Sequence, residues 1–318
     1  MIDKRKLGTS DLLVSPIAFG GNVFGWSLNE ESSIKILNAF VEAGFNFIDT
    51  ADSYSRFVEG NHGGESETII GKWLKGNGRR KEVIIATKLG SDMGGGKKGL
   101  SAKYILEEAE ESLKRLQTDY IDLYQSHYDD PETPVEETMT AFNNLITAGK
   151  VRYIGASNLS PDRIRKSNAF AKQNGLAPYI SLQPLYNLYD REKFEKEYAA
   201  VAKEELLAVL PYYALASGFL TGKYRSEADV SKSPRGQGVK KKYMNKRGAR
   251  ILAAMDRIAV ELDSKVSQIA IAWLLNQPLI AAPIASATNE RQLDELVRAS
   301  TLKLSGNQLK ELDKASAY

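Results

Sequence analysis

The stretch Gly44-Phe-Asn-Phe-Ile-Asp-Thr-Ala-Asp-Ser-Tyr54 decides how the chain is read. Phe45 to Ile48 has the composition of a short buried strand that delivers Asp49 at its carboxyl end, and a loop then presents Tyr54. A carboxylate at the tip of an apolar strand is costly to strip of water unless something pairs with it. The rest of the chain supplies candidates for that partner.

Strand and helix patterns alternate on both sides of this stretch. Upstream, residues 4–7 and 12–15 read as a hairpin turned at Gly8-Thr9-Ser10-Asp11, followed by an apolar run over 16–20. Ile34, Leu37, Phe40 and Val41 have helical spacing, and Gly44 closes that helix. Downstream, strands are expected over 82–87, 120–125, 151–155, 179–182, 206–210 and 279–282. Helices are expected over 65–74, 101–116, 134–148, 160–174, 191–203, 248–262, 266–275, 289–298 and 305–315. Short, nearly continuous apolar strands imply burial on both faces and so a parallel sheet. Eight strand–helix units favour an α/β fold of the closed (β/α)8 kind, a TIM barrel, over an open doubly wound sheet. The hairpin would plug one end, and two helices are extra to the eightfold repeat. No Pro/Gly/Ser linker divides residues 1–318, so a single domain is expected. The stretch 224–246 stands apart: polar, basic and without periodicity, it reads as a lid, a binding segment or disorder.

Composition excludes several kinds of chemistry. The chain has 318 residues and no cysteine, which removes disulfides, thiolate catalysis and zinc–sulfur sites. Two histidines, His62 and His127, are too few for a histidine-rich metal site, and no metal is expected. A net charge of +3 does not argue for nucleic acid or an anionic membrane. The opening MIDKRKLGTS lacks an apolar signal core, and the runs 269–275 and 279–282 are too short to span a bilayer. A soluble cytoplasmic protein is the expectation.

The polar residues fall in a pattern. Asp49, Lys88, His127, Asn158, Gln183 and Tyr212 sit at or just past the ends of successive expected strands, which converge on one face of a barrel. Lys88 alone would read as a surface lysine and His127 alone as a structural histidine, but six in register point to a shared site. Lys88 beside Asp49 would be a buried ion pair. Its charge near Tyr54 is expected to lower the phenol below its free pKa of about 10 and make it a proton donor or acceptor. A neutral His127 could orient the same reacting oxygen. The set moves one proton and needs a second half-reaction. Ser157, Asn158 and Gln183 could pair with a carboxamide and Tyr212 could face a flat ring, a combination that fits a nicotinamide and hydride transfer. Gly94-Gly-Gly-Lys-Lys-Gly99 satisfies G-x-G-x-x-G formally, but it does not open a helix directly off a strand and reads as a rim loop.

These motifs resemble those of the aldo-keto reductases, in the bacterial and potassium-channel-β-subunit-like branch. GFNFIDTADSY, with Glu67 and Gly71, resembles their first signature; VIIATK, DYIDLYQSH and GKVRYIGASN resemble the lysine, histidine and amide strands. SLQPLYN, LPYYALASGFLTGKY and APIASATNERQLDEL continue the match, and KLGTSDLLVSPIAFG resembles the plug and first strand. The resemblance implies NADPH-dependent reduction of aldehydes or ketones, with Tyr54 as general acid, Lys88 and Asp49 tuning it, and His127 orienting. It gives Gly21, Asn22, Ser157, Asn158, Gln183, Tyr212, Leu215, Ser217, Gly218, Leu220 and Lys223 to the nicotinamide and pyrophosphate. Thr288, Gln292 and Glu295 go to the adenosine end. Trp26, Phe57 and Tyr128 are candidates for the substrate wall. Two segments depart from the family pattern: Tyr213–Ala214 replaces the usual Ser-Pro, and Ser286–Ala287–Thr288 replaces the small-glycine turn. The usual arginine near Ser217 or Thr288 is missing, so NADH use stays open, with Arg291 or the basic 224–246 segment able to supply charge for a 2′-phosphate. The alternative reading is a cofactor-sensing subunit like the potassium-channel β subunits. No extension precedes the hairpin here, which favours the enzyme.

Overall fold

A computed structural model describes residues 2–318. The hairpin pairs β1 (Arg5–Lys6) with β2 (Leu13–Val14) antiparallel. Eight parallel strands follow: β3 (Ala18–Gly20), β4 (Phe47–Asp49), β5 (Ile84–Leu89), β6 (Ile121–Ser126), β7 (Val151–Ser157), β8 (Tyr179–Gln183), β9 (Ala208–Val209) and β10 (Ile284–Ala285). They are ordered β10-β3-β4-β5-β6-β7-β8-β9. The ring closes because Val209 N donates to Leu279 O at 2.9 Å, Ala281 N to Val209 O at 3.0 Å and Ile284 N to Pro211 O at 2.8 Å. The architecture is the expected (β/α)8 barrel.

Helices α1 (Glu30–Glu42), α2 (Glu65–Asn77), α3 (Ala102–Leu116), α4 (Val135–Thr147), α5 (Pro161–Gln173) and α6 (Ala199–Glu204) cover the first strands. α7 (Gly236–Tyr243), α8 (Lys246–Glu261) and α9 (Val266–Leu275) lie between β9 and β10; α10 (Glu290–Ala299) and α11 (Gly306–Ser316) end the chain. Starts follow local chemistry: Asn29, Ser101, Ser160, Asn245, Asn289 and Ser305 each accept a first-turn amide through the side chain.

The period of two divides each strand between two cores. Ile84 and Ala86 join Phe47, Leu123 and the hairpin residues Leu7, Leu12 and Val14 in the barrel interior. Ile85, Leu89 and Tyr124 face the helices in the larger outer core. On the inward row the next residues toward the carboxyl ends are Lys88, Gln125 and His127. The plug is held as well as packed. Arg5 donates to the carbonyls of Ile280 (2.9 Å) and Leu275 (3.2 Å), and Arg152 joins Asp11 of the hairpin turn (3.0 Å) to buried Asp122 (2.9 Å).

Three expectations need correction. Residues 279–282 do not form the last strand; they supply the closing bridge to β9, and the strand proper is Ile284–Ala285, because Pro283 places the pairing with β3 beyond it. Residues 224–246 are ordered: a 3-10 turn, Glu227–Lys232, leads into α7. Tertiary partners replace the missing periodicity. Lys240 pairs with Glu227 (2.7 Å), Lys242 with Asp190 (2.8 Å), and the Tyr243 hydroxyl donates to Asp190 (2.8 Å). The crossover therefore carries three helices where two were expected. In addition, the helix expected over 191–203 is a π turn at Phe194–Tyr198 followed by α6.

Gly71 shows how closely α2 approaches α3: a Cβ there would lie 2.1 Å from the Arg115 carbonyl oxygen. Gly71→Ala should therefore cost about 2–3 kcal/mol in urea unfolding. On the same helix Gly76→Ala, where nothing lies within 4 Å, should be neutral or stabilise by about 0.5–1 kcal/mol.

Candidate active site

Asp49 ends β4 fully buried, and its two carboxylate oxygens collect four donors. Oδ2 takes Lys88 Nζ at 2.7 Å and the Tyr54 hydroxyl at 3.3 Å. Oδ1 takes Gln183 Nε2 at 2.9 Å and Gln125 Nε2 at 3.3 Å. Strand register makes this possible. Gly20 pairs with Asp49 across β3–β4, Lys88 with Gln125 across β5–β6, and Ser157 with Gln183 across β7–β8. Lys88 also donates to the Thr50 carbonyl at 2.7 Å and is 1% exposed. Burial lowers its ammonium from the usual range, and Asp49 works against that.

The Tyr54 phenol is not lowered as the sequence suggested. Burial, and then the charge of Asp49, push it well above the usual tyrosine range. Lys88 spends its donors on Asp49 and Thr50 and meets Tyr54 only through the ring, 4.7 Å from the centroid. Tyr54 is therefore a firmly protonated phenol at neutral pH. His127 lies just past β6, its ring centroid 6.2 Å from that of Tyr54. Burial, and then the Lys88 charge, hold its pKa well below 6.5, so the imidazole is neutral as expected. Ser91 Oγ, 2.9 Å from Nδ1, fixes the ring.

The amide residues form one linked group. Asn158, at φ 55°, donates to the His127 carbonyl and to Ser157 Oγ, both at 3.0 Å, and accepts the Tyr212 hydroxyl at 3.0 Å. Ser157 Oγ donates to the Gln183 carbonyl at 2.9 Å. The side chains that could hold a carboxamide are thus side by side, with Gln183 also tied to Asp49. Beyond Tyr212, Leu215 and Leu220 flank a tight 3-10 turn in which Ser217 (φ 56°) and Gly218 (φ 91°) are left-handed. A Cβ on Gly218 would fall 3.3 Å from Lys223 Nζ, so glycine leaves this lysine room. Such turned backbone beside a free ammonium suits a phosphate, and no carboxylate pairs with Lys223 among the described residues. Across the mouth, Ser286 Oγ lies within hydrogen-bond distance of the Gly20 carbonyl oxygen (2.7 Å) and of Asn22 Oδ1 (2.8 Å), which puts Gly21 and Asn22 beside the turn that follows β10. Gln292 Oε1 accepts both the amide and the hydroxyl of Thr288, and Glu295 accepts the Ser267 hydroxyl at 2.7 Å.

Aromatic residues rim the opening. Trp26 and Phe57 meet edge to face at 5.0 Å, and Tyr128 stacks on His127 at 4.8 Å. The ordered 224–246 segment reaches this rim, with Arg235 4.6 Å above the Trp26 ring and free of any carboxylate among the described residues. Gln125 and Ser91 were missed from sequence, and Arg235 was read only as one of the basic residues of 224–246. Gln125 had a signal, two residues before His127 on the same strand face; Ser91 had none. His62 is exposed in its loop, and residues 94–99 form a loop ahead of the Ser101 cap rather than a helix start. No group of His, Asp and Glu residues suited to a metal ion occurs among the described residues, nor a helix long and apolar enough to cross a membrane.

Fold and site define a (β/α)8-barrel protein whose mouth gathers a protonated phenol, a buried lysine–carboxylate pair and a neutral imidazole. The chain belongs to the aldo/keto reductase family, whose model matches residues 16–317. It is 34% identical to the Bacillus subtilis protein "Uncharacterized oxidoreductase YrpG", over 96% of this chain and 94% of that protein. It is 35% identical to "Probable voltage-gated potassium channel subunit beta" of Oryza sativa subsp. japonica, over 93% of this chain and 90% of that protein. "Aldo-keto reductase YhdN" of Bacillus subtilis is 34% identical, over 93% of this chain and 86% of its own length. The family is one of oxidoreductases that act on small carbonyl compounds and generally use nicotinamide cofactors.

Removing Lys88 leaves the Asp49 charge buried with only amide and phenol donors. Lys88→Met should lose about 3–5 kcal/mol in urea unfolding, and Asp49→Asn/Lys88→Met should recover much of it. His127 supplies a pH test. Its folded pKa is depressed, so its contribution is complete above the unfolded value near 6.5 and is lost as pH falls below it. Between about pH 6.5 and 5 the wild type should lose melting temperature, and His127→Gln should flatten that decline.

Proposed function

We propose that the protein reduces aldehydes or ketones to alcohols with NADPH. The observation that carries this reading is the convergence of Tyr54, Lys88 and His127 around Asp49 at the barrel mouth. NADPH, when bound, supplies the hydride. Ser157, Asn158 and Gln183 would hold its carboxamide and Tyr212 its ring face. Gly21, Asn22, Leu215, Ser217, Gly218, Leu220 and Lys223 would line the pyrophosphate, and Thr288, Gln292 and Glu295 the adenosine. Tyr54 gives its proton to the carbonyl oxygen as negative charge develops there. A phenol held protonated across neutral pH is always ready to do so, and Lys88 and His127 favour that charge on the oxygen. Trp26, Phe57 and Tyr128 would form the substrate wall. Residues 1–318 would act as one domain, in the cytoplasm. Arg291, in the first turn of α10 beside Gln292, offers charge for a 2′-phosphate, as does the basic 224–246 segment that carries Arg235.

A second reading rests on the relative named as a potassium channel β subunit: a barrel that binds the cofactor and reports its state without appreciable turnover. NADPH oxidation with aromatic aldehydes, dicarbonyls and sugars separates the two. The reductase turns over at least one class, and Tyr54→Phe should lower kcat about 100-fold or more with little change in NADPH affinity. Undiminished turnover by Tyr54→Phe sinks the mechanism, and tight NADPH binding without turnover of any carbonyl favours the sensing subunit. Arg291→Ala should raise the Kd for NADPH about tenfold while leaving NADH within about twofold. Equal effects on both would remove the 2′-phosphate role.

A further inference from the structure

Four buried polar atoms behind the mouth have no hydrogen-bond partner in the protein: both carboxyl oxygens of Asp52 and the hydroxyls of Tyr104 and Tyr124. Asp52 is wholly screened from solvent, lies between Asp49 and Tyr54 in sequence, and donates its amide to the Lys88 carbonyl at 3.1 Å. Tyr124 is on the outer face of β6, since Leu123 and Gln125 point inward, and its ring meets Phe142 edge-on at 5.8 Å. Tyr104 is in the first turn of α3, which packs on α2 and β5. Thr87, which precedes Lys88 on β5, pairs with Tyr124 across β5–β6. These placements bring the three side chains to one region, between the loop 50–54, the outer faces of β5 and β6, and α3.

Folded proteins leave few buried polar groups without partners, and several together mark an internal water site, where a water finds about three of them. We propose that this space is a built water site, in which ordered water bridges Asp52 to Tyr104 and Tyr124 and so fixes the loop that carries Tyr54. The surrounding charges leave Asp52 no other partner. Glu67 of α2 takes the Thr87 hydroxyl at 2.5 Å and Arg115 at 2.6 Å, and Glu108 of α3 also holds Arg115. Lys88 of β5 belongs to Asp49, and Asp92 beyond β5 adds only negative charge. Burial, with Glu67 and Glu108 nearby, keeps the Asp52 carboxyl well above the usual carboxylate range, hence a neutral acid that can donate to water as well as accept. Asp52 is thus a positioning residue: it touches no reacting atom and acts through the backbone between Asp49 and Tyr54. The effect on turnover rests on the reductase reading; the water site does not.

The test joins a high-resolution crystal structure to three variants of the full chain. Ordered density bonded to Asp52 and both hydroxyls is expected. Tyr124→Phe should lower the melting temperature by about 2 °C or more, because it strands a bond of the water. An unpartnered hydroxyl would behave oppositely, and an unchanged or raised melting temperature without ordered density overturns the site. Asp52→Asn, which keeps a donor and an acceptor without charge, should hold kcat within about twofold, whereas Asp52→Ala should lower it about tenfold at unchanged NADPH affinity. Equal kcat in Asp52→Ala and wild type overturns the positioning role. Failure of the wild type to reduce any carbonyl would defeat the reductase reading instead, with density and melting temperature still deciding the water site.

Discussion

The structure depends on one expensive object, the charge of Asp49 inside a barrel. A carboxylate there is tolerable only if its oxygens are fully engaged, and they are, by Lys88, Tyr54, Gln183 and Gln125. Each donor comes from a different strand or loop, so the register of the sheet is tied to the satisfaction of this single group. The same arrangement defines the chemistry. With Lys88 committed to Asp49, burial and the Asp49 charge keep the phenol beside them protonated, as the proposed proton transfer requires. His127 is kept neutral by burial and by the same lysine, so the mouth holds donors without an exposed second cation beside the reacting oxygen.

The barrel was legible because its strands are short and nearly continuously apolar, as burial on both faces requires, and recur eight times between helices. Polar residues interrupt the inward row only near the carboxyl ends, which is why Asp49, Lys88 and His127 announced themselves. Other parts were decided by contacts with no local trace. Residues 279–282 look like a strand yet serve as the closing bridge to β9, since Pro283 shifts the pairing to Ile284–Ala285. Residues 224–246 look shapeless, yet Glu227 and Asp190 fix the lysines that blur their pattern. The Tyr54 phenol was misjudged in direction because sequence showed the Lys88–Asp49 pair but neither the depth at which the phenol is buried nor its own contact with Asp49.

One departure from the family pattern, at Tyr213–Ala214, opens the loop after β9. Tyr213 (φ 53°), Ala216 (φ 48°) and Ser217 (φ 56°) all take left-handed backbone in the loop after β9, where strain is stored rather than relaxed. From there the chain runs into the ordered 224–246 segment and on to Arg235 above Trp26. The 216–221 turn and the basic segment are thus consecutive parts of one crossover, which meets the aromatic rim at Trp26.

The proton-holding role of Tyr54 is best tested by the pH dependence of a single turnover with a reducible aldehyde, followed by NADPH fluorescence. A phenol raised above its usual range stays protonated, so the rate should be level from about pH 6 to 9 and fall only above that. A rate that falls through neutral pH, as for a donor lowered by a free lysine charge, would contradict the account.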